Sequence, residues 1–283
     1  MTPLEEKIRE RIAREGPILF SEFMQMALYD RERGYYRGDP FGRHGDFYTA
    51  SQLQPVFGAF VRMLAERYLP RYENFADIGA GREDLRRELR DKPYFAVQEG
   101  EEIPKTQNTV LFANEFFDAL PVDIEAEGRQ LRVQWRDGEF AWWPKAPLSQ
   151  VRERRPRVRE ELQRLFDATA SPAVLIAIDY GYTAQTSVKF PAGTLMAYRG
   201  HIAHENVLAN PGTQDITAHV DWDDFFTSAE DVGWRRESFE SMDRSLLALG
   251  EEAMSRLHFL GAPQLKQLLF ELGPRFDIAV LRK

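Results

Sequence analysis

ADIGAGRED, residues 76–84, is the stretch on which the fold turns. It joins a hydrophobic run that reads as a strand (NFADIGA, 74–80) to a charged run that reads as a helix (REDLRRELRD, 82–91). Glycines at such a junction let the backbone turn tightly and bring N–H groups and the helix N-terminus against a ligand. A dinucleotide loop requires G-x-G-x-x-G. Here Gly79-Ala80-Gly81 supplies the first two glycines, but position 84 holds Asp84 and its neighbour is Glu83. Acids at a helix start repel a pyrophosphate and tolerate a cation. Asp77, just ahead of the glycines, can pair with an ammonium group. A purely structural turn is the other reading of the same residues.

The surrounding pattern is α/β. PYFAV (93–97), TVLFANE (109–115) and AVLIAIDYG (173–181) are near-continuous apolar runs, as parallel strands covered on both faces require. GTLMAYRGH (193–201) is a fifth strand candidate and RFDIAVLRK (275–283) a last one. Alternation around Asp137-Gly138 predicts a hairpin. Upstream, Leu4, Ile8, Ile12 and Ala13 predict a helix stopped by Gly16-Pro17, and Ser21 is expected to cap a second. Residues 54–68, 221–231 and 246–272 also read as helical. The glycine- and aromatic-rich segment 34–51 reads as a loop suited to be a lid. We expect a helical N-terminal cap and lid loop, residues 1–70, packed on a core, residues 71–283, with a hairpin insertion at about 122–146.

Composition narrows the function. The 283 residues carry a net charge of −8, which argues against a nonspecific grip on nucleic acid. The basic run Arg152 to Arg159 reads as a solvated helix face. With Cys 0 there is no thiolate chemistry and no disulfide framework, which fits a reducing, cytoplasmic setting. No apolar run is long enough to span a bilayer, and the charged N-terminus does not read as a secretory or transit signal.

A second motif, ANEFFDALPVD (113–123), follows a strand, and in a doubly wound sheet the strand ends hold the ligand. Asn114, Glu115 and Asp118 thus fall where substrate should sit; Asn114 or Asp118 could equally be a helix cap. His219 in DITAHVDW reads as either a base or a structural histidine. His201 and His204 lack an indicated third ligand, so no metal is assigned.

S-adenosylmethionine is a cationic sulfonium with an amino-acid tail whose ammonium suits Asp77. GYYRGDPFGRHGDFYTA, DIGAGR, ANEFFDALPV, IDYG, GTLMAYRGH and DITAHVDW occur in this order between about Gly16 and Trp222. In this the chain resembles the MidA family of class I S-adenosylmethionine-dependent methyltransferases, whose members include an assembly factor of respiratory complex I. The resemblance implies a seven-stranded methyltransferase sheet and methyl transfer, with protein arginine as the acceptor in characterised members. Gly45, Asp46, Phe47 and Thr49 match the family's N-terminal motif; Gly79 and Gly81 match its glycine turn. Asn114 to Pro121 match its most telling stretch.

The chain also departs from that family. Glu83 stands in place of a further glycine, and Ser51-Gln52 in place of Pro-Glu. Where the family has a ribose-binding Glu after the second strand, this chain has Gln98, with Glu99 one residue late. Only EGEEIPKTQN (99–108) separates that strand from the third. A parallel crossover with its helix needs at least about 10–12 residues, and two need more. The helix after the second strand and the edge strand beyond it are therefore expected to be missing. Three functions remain. In an active methyltransferase, Gly45, Asp46, Thr49, Asp77, Gly79, Gly81, Gln98, Glu99 and Asn114 would hold the cofactor. Glu115 and Asp118 would orient a protein substrate. In a silent relative, the fold would serve as a binding or assembly factor. A nicotinamide-dependent oxidoreductase is disfavoured by the failed phosphate pattern.

Overall fold

The computed structural model describes residues 1–38, 53–81, 83–145 and 149–283. In chain order the first elements are α1 (Pro3–Glu15), β1 (Ile18–Leu19), α2 (Phe20–Tyr29), α3 (Val56–Tyr68), β2 (Asn74–Ile78), β3 (Tyr94–Val97) and β4 (Thr106–Asn114). Next come β5 (Asp123–Ala126), β6 (Arg129–Arg136), β7 (Glu139–Trp143), β8 (Arg152–Arg154), α4 (Pro156–Ala168), β9 (Thr169–Asp179) and β10 (Gly181–Tyr182). The chain continues with β11 (Met196–Arg199), β12 (Ile202–His204), β13 (Asp215–Thr217), β14 (Val220–Asp221), α5 (Trp222–Val232) and β15 (Arg235–Ser241). It closes with α6 (Met242–Leu247), α7 (Glu251–Gln267) and β16 (Asp277–Arg282).

The contacts divide the chain into two compact units. One comprises the described residues of Met1–Phe47, Asp118–Val158 and Tyr182–His219; the other those of Tyr48–Phe117, Arg159–Gly181 and Val220–Lys283. This division differs from the expected boundary at residue 70. Helices α1 and α2 group with the hairpin region and with residues 182–219, whereas α3 groups with the main sheet.

The main sheet has six strands in the order β15-β16-β9-β4-β2-β3. Strands β3, β2, β4 and β9 are parallel; β16 and β15 run antiparallel to their neighbours. The expected class of sheet is thus present. Among the described residues nothing pairs beyond β3, and 98–105 contain no helix, as the short connection required. Every residue of β9 from Ala173 to Ile178 is 0% exposed, which accounts for its unbroken apolar run. Phe75, Phe112, Ile176 and Ile178 pack with α3 side chains Phe57, Phe60 and Leu64 and with Leu257 and Leu265 of α7. α7 kinks at Gly261, just before Pro263, which lacks an N–H to continue the ladder.

Several local expectations need correction. Residues 83–91 form successive turns, with Arg86 N–H on Glu83 O (3.0 Å) and Lys92 N–H on Leu89 O (2.9 Å), and no α-helix. Only Leu85 and Leu89 of that run are buried, too small an apolar stripe to hold a helix. Ser21 lies inside the first turn of α2; the preceding Leu19 N–H is taken by the Glu22 carboxylate at 2.9 Å. The GTLMAYRGH strand is real, but β11 belongs to a separate three-stranded sheet, β12-β11-β13. Strand β15 has no counterpart in the sequence reading.

The first unit carries the antiparallel insertion, a sheet ordered β1-β6-β5-β8 with β7 on β6. Asp137 and Gly138 both adopt positive φ (53° and 90°), giving the expected two-residue turn between β6 and β7. Its core joins Leu4, Ile8 and Ile12 of α1, Phe20, Phe23 and Leu28 of α2, and Ile124, Leu131 and Val133 of the sheet. Thr2 caps α1, accepting the Glu5 N–H at 3.2 Å.

The basic run is a solvated helix face only in its second half, where Arg159 lies exposed on α4; its first half is not. Arg152–Arg154 is strand, and the Glu153 and Arg155 side chains are each 1% exposed, joined by a 3.0 Å ion pair. Glu153 also accepts from Thr194 N–H (2.6 Å), Thr194 hydroxyl (2.6 Å) and Leu195 N–H (3.0 Å), while Arg155 donates to the His219 carbonyl. Among the described residues no helix is long and apolar enough to cross a membrane. Removing one member of a buried pair strands the other charge, so Glu153→Gln should lose about 3–5 kcal/mol in chemical denaturation. Arg159→Gln, at an exposed pair with Asp231, should change stability by less than about 1 kcal/mol. Equal effects would contradict this placement of the core charge.

Candidate functional site

The order of the main sheet places a reversal at β2, whose neighbours β3 and β4 lie on opposite sides. Ligands of doubly wound sheets bind at the carboxyl ends of the strands at such a reversal. Ile78 is in register with Ala113 of β4 and Val97 of β3. The sheet therefore sets 79–81, 114–115 and 98–99 as three adjoining strand exits.

Asp77 occupies the last turn of pleat before the glycines, and its alternation with Phe75 directs it to the core face of β2. It is 7% exposed, and Tyr94 of β3 donates its phenol to Asp77 Oδ2. Burial pushes the Asp77 carboxyl up to about 7; the Tyr94 hydrogen bond opposes this, and the nearby charges of Asp84 and Glu83 add to it. Gly79 follows with φ 76° and gives its N–H to Val97 O at 2.7 Å. A Cβ there would stand 2.7 Å from Phe116 Cδ2, so both conformation and packing demand glycine. Gly81 is exposed.

At the exit of β3, the Gln98 side-chain amide donates to Ala80 O, and its backbone N–H goes to Glu101 Oε2 at 2.9 Å. Gln98 thereby fastens the glycine turn to the β3 exit; Glu99 is half-buried beside it. At the exit of β4, Asn114 Nδ2 donates to Glu115 Oε1 at 3.1 Å, and Asn114 Oδ1 is buried with no hydrogen-bond partner among the described residues. Glu115 takes φ 50°, with its N–H on Ile178 O at 2.9 Å. Positive φ in a non-glycine residue marks a position that its surroundings over-determine. Asp179, 0% exposed, then receives Phe117 N–H and Tyr180 N–H, each at 2.9 Å. Asp179 escaped the sequence reading, although IDYG had been noticed as a motif.

The structure thus brings together Asp77, Gly79, Gly81, Gln98, Glu99, Asn114 and Glu115. Asp118 is counted with the other unit, 6% exposed, its carbonyl accepting Ala218 N–H at 3.0 Å. Gly45, Asp46, Thr49 and most of the expected lid lie outside the described residues. His219 donates its N–H to Thr194 Oγ1 at 2.8 Å and its carbonyl accepts from Arg155, with its ring edge-on to Phe190. Burial lowers its imidazole below the usual range, keeping the ring neutral at pH 7.

The fit of a zwitterionic sulfonium can be tested on these groups. A buried acid at the end of β2 suits an ammonium, and the unmet Asn114 Oδ1 suits an N–H or O–H donor. The donor set passes.

Comparison with known proteins agrees. A family model described as "Putative S-adenosyl-L-methionine-dependent methyltransferase" matches residues 63–239. Protein arginine methyltransferase NDUFAF7, mitochondrial, of Xenopus tropicalis is 26% identical over 297 residues, which cover 75% of this chain and 67% of that protein. Its Drosophila melanogaster homolog is 23% identical over 304 residues, covering 77% and 68%. This chain spans about two thirds of the length of these relatives. A crystal structure of a Burkholderia thailandensis protein bound to S-adenosyl-homocysteine superposes with TM-score 0.80 at 22% identity, covering 99% of this chain and 92% of that one. A native structure from the same organism gives TM-score 0.75 at 22% identity, covering 99% and 91%. The fold is shared across the whole described chain and the family match takes in well over half of the sequence: the chain belongs to the S-adenosyl-L-methionine-dependent methyltransferase family.

Proposed function

We propose that this chain transfers a methyl group from S-adenosylmethionine to a nitrogen of a protein arginine. The observation that carries the cofactor half is Asp77, a buried carboxyl at the exit of β2, raised to about 7. The acceptor half draws on Glu115 and Asn114 and on the names of the relatives, which are protein arginine methyltransferases.

The cofactor supplies an electrophilic methyl on sulfonium. Above about pH 7 the ionised Asp77 pairs with the ammonium of the cofactor's tail, while Gly79 keeps the turn open to close approach. Gln98 steadies the turn through Ala80 O, and Asn114 Oδ1 accepts a donor from cofactor or substrate. Glu115, oriented by the Asn114 amide, would hold the guanidinium and take the proton its nitrogen gives up as the methyl passes from sulfur to nitrogen, the S–C bond breaking as the N–C bond forms. Alignment of the reacting atoms then supplies most of the acceleration. Asp118 remains a proposed second contact to the protein substrate; Gly45, Asp46 and Thr49 remain proposed lid contacts. A cytoplasmic setting is part of the proposal, and the zero cysteine count fits it.

A silent scaffold is the second reading, favoured by the lack, among the described residues, of a strand beyond β3 to flank the exits. Labelled methyl transfer separates the two. With methyl-labelled cofactor and an arginine-containing substrate protein, label should appear on guanidino nitrogen. Glu115→Gln should lower kcat by about 10²–10⁴-fold with cofactor affinity kept. Label confined to another residue type would overturn the acceptor, and no transfer with tight cofactor binding would favour the scaffold.

The raised Asp77 carboxyl also fixes a pH dependence. Below its midpoint the acid is neutral and the ammonium loses its partner. Calorimetric affinity for S-adenosylmethionine should therefore fall about tenfold per unit as pH drops below about 7. An affinity constant from pH 8 to 5 would contradict the pairing.

A further inference from the structure

Glu83 stands where the resembling family has glycine, and it adopts φ 54°, the left-handed region that glycine favours. A strained non-glycine residue beside a ligand loop points to a task for the side chain. Its carboxylate pairs with the Arg86 guanidinium, both largely exposed, an arrangement of little worth to stability by itself. The Arg86 guanidinium in turn lies over the Tyr94 ring, 4.8 Å from its centroid. Tyr94 is stacked on Phe75 with ring centroids 6.0 Å apart and planes within 7°. Its hydroxyl, 9% exposed as a residue, donates to Asp77 Oδ2.

These contacts form a continuous chain from the turn to the buried acid. We propose that Tyr94 is a positioning residue for the cofactor-binding carboxylate, and that Glu83 and Arg86 set its orientation and donor strength. The proposal rests on the reading of Asp77 as the cofactor's ammonium partner. The stacked Phe75 and the overlying Arg86 fix the ring. The fixed phenol then holds one carboxylate oxygen, so that the carboxylate meets its ligand in a single rotamer. A cation over the ring face makes the phenol a better donor, while burial and the neighbouring Asp77 keep it protonated. The charges acting on Asp77 are Glu83 and Asp84 from the turn, with Tyr94 from β3; β4 places apolar Phe112 opposite it in the ladder. Glu83 thus has two effects of opposite sense: it holds Arg86 over the ring and repels charge on Asp77.

The test uses the full chain, with the Asp77 side-chain carboxyl carbon followed by NMR against pH, and S-adenosylmethionine affinity measured over the same range. Tyr94→Phe removes the donor and should move the Asp77 midpoint up by about one pH unit. Arg86→Gln removes the cation over the ring and, by weakening the phenol as a donor, should also move it up. The pH at which affinity falls should follow in each case. Both positions can lose these groups without a cavity, and circular dichroism checks that each variant is folded; Arg86, at the surface, keeps the test decisive if Tyr94→Phe unfolds. Unmoved midpoints in folded variants would overturn the positioning role, since a merely structural contact would alter melting alone. Midpoints that move as stated with a flat affinity profile would support the relay and overturn its service to the cofactor.

Discussion

A carboxylate shut inside a parallel sheet is the constraint around which the second unit is arranged. Asp77 is 7% exposed, flanked in the ladder by Ala96 and Phe112. Raising its carboxyl from 3.8 to about 7 corresponds to a cost on the order of 4 kcal/mol when the group is ionised. A buried position beside Phe75 on the strand and opposite Phe112 would be better filled by valine or leucine for stability alone. In the proposed role the acid gives a fixed negative partner where the strand order reverses at β2 and three strand exits adjoin.

The other groups at those exits restrict the same small volume. Gly79 cannot carry a side chain because Phe116 fills that space. Gln98, in place of a carboxylate, ties the turn to the β3 exit through the Ala80 carbonyl. Asn114 and Glu115 are locked to one another, with Glu115 held in a left-handed conformation. The departures from the family pattern are thus taken into contacts with the turn: Glu83 holds Arg86, and Gln98 holds the loop.

Much of the sheet was legible because its evidence is local. Apolar runs such as AVLIAI need both faces covered, and Asp137-Gly138 can hardly be anything but a two-residue turn. The missing edge strand followed from chain length, since 99–108 cannot hold two crossovers. What escaped was nonlocal. RRESFES has Phe239 as its one apolar residue, as suits an edge strand, so β15 left no alternating signature. Arg155 looked like one more surface charge, because Glu153, itself held by Thr194, and the His219 carbonyl meet it only in the folded chain. REDLRRELRD had helical composition but only two buried leucines, and local propensity yielded to tertiary packing. At the site, Asp77 and Asn114 could be placed from strand ends, whereas the Tyr94 contact to Asp77 depends on strand pairing and could not.

The central claim is that Asp77 costs the fold stability and serves the cofactor. The most direct test is the melting temperature of Asp77→Asn at pH 8, without and with saturating S-adenosylmethionine. The uncharged variant should melt several degrees above the parent chain, and the rise that the cofactor gives the parent should vanish. A variant that melts lower and still gains the full increment from cofactor would contradict the account.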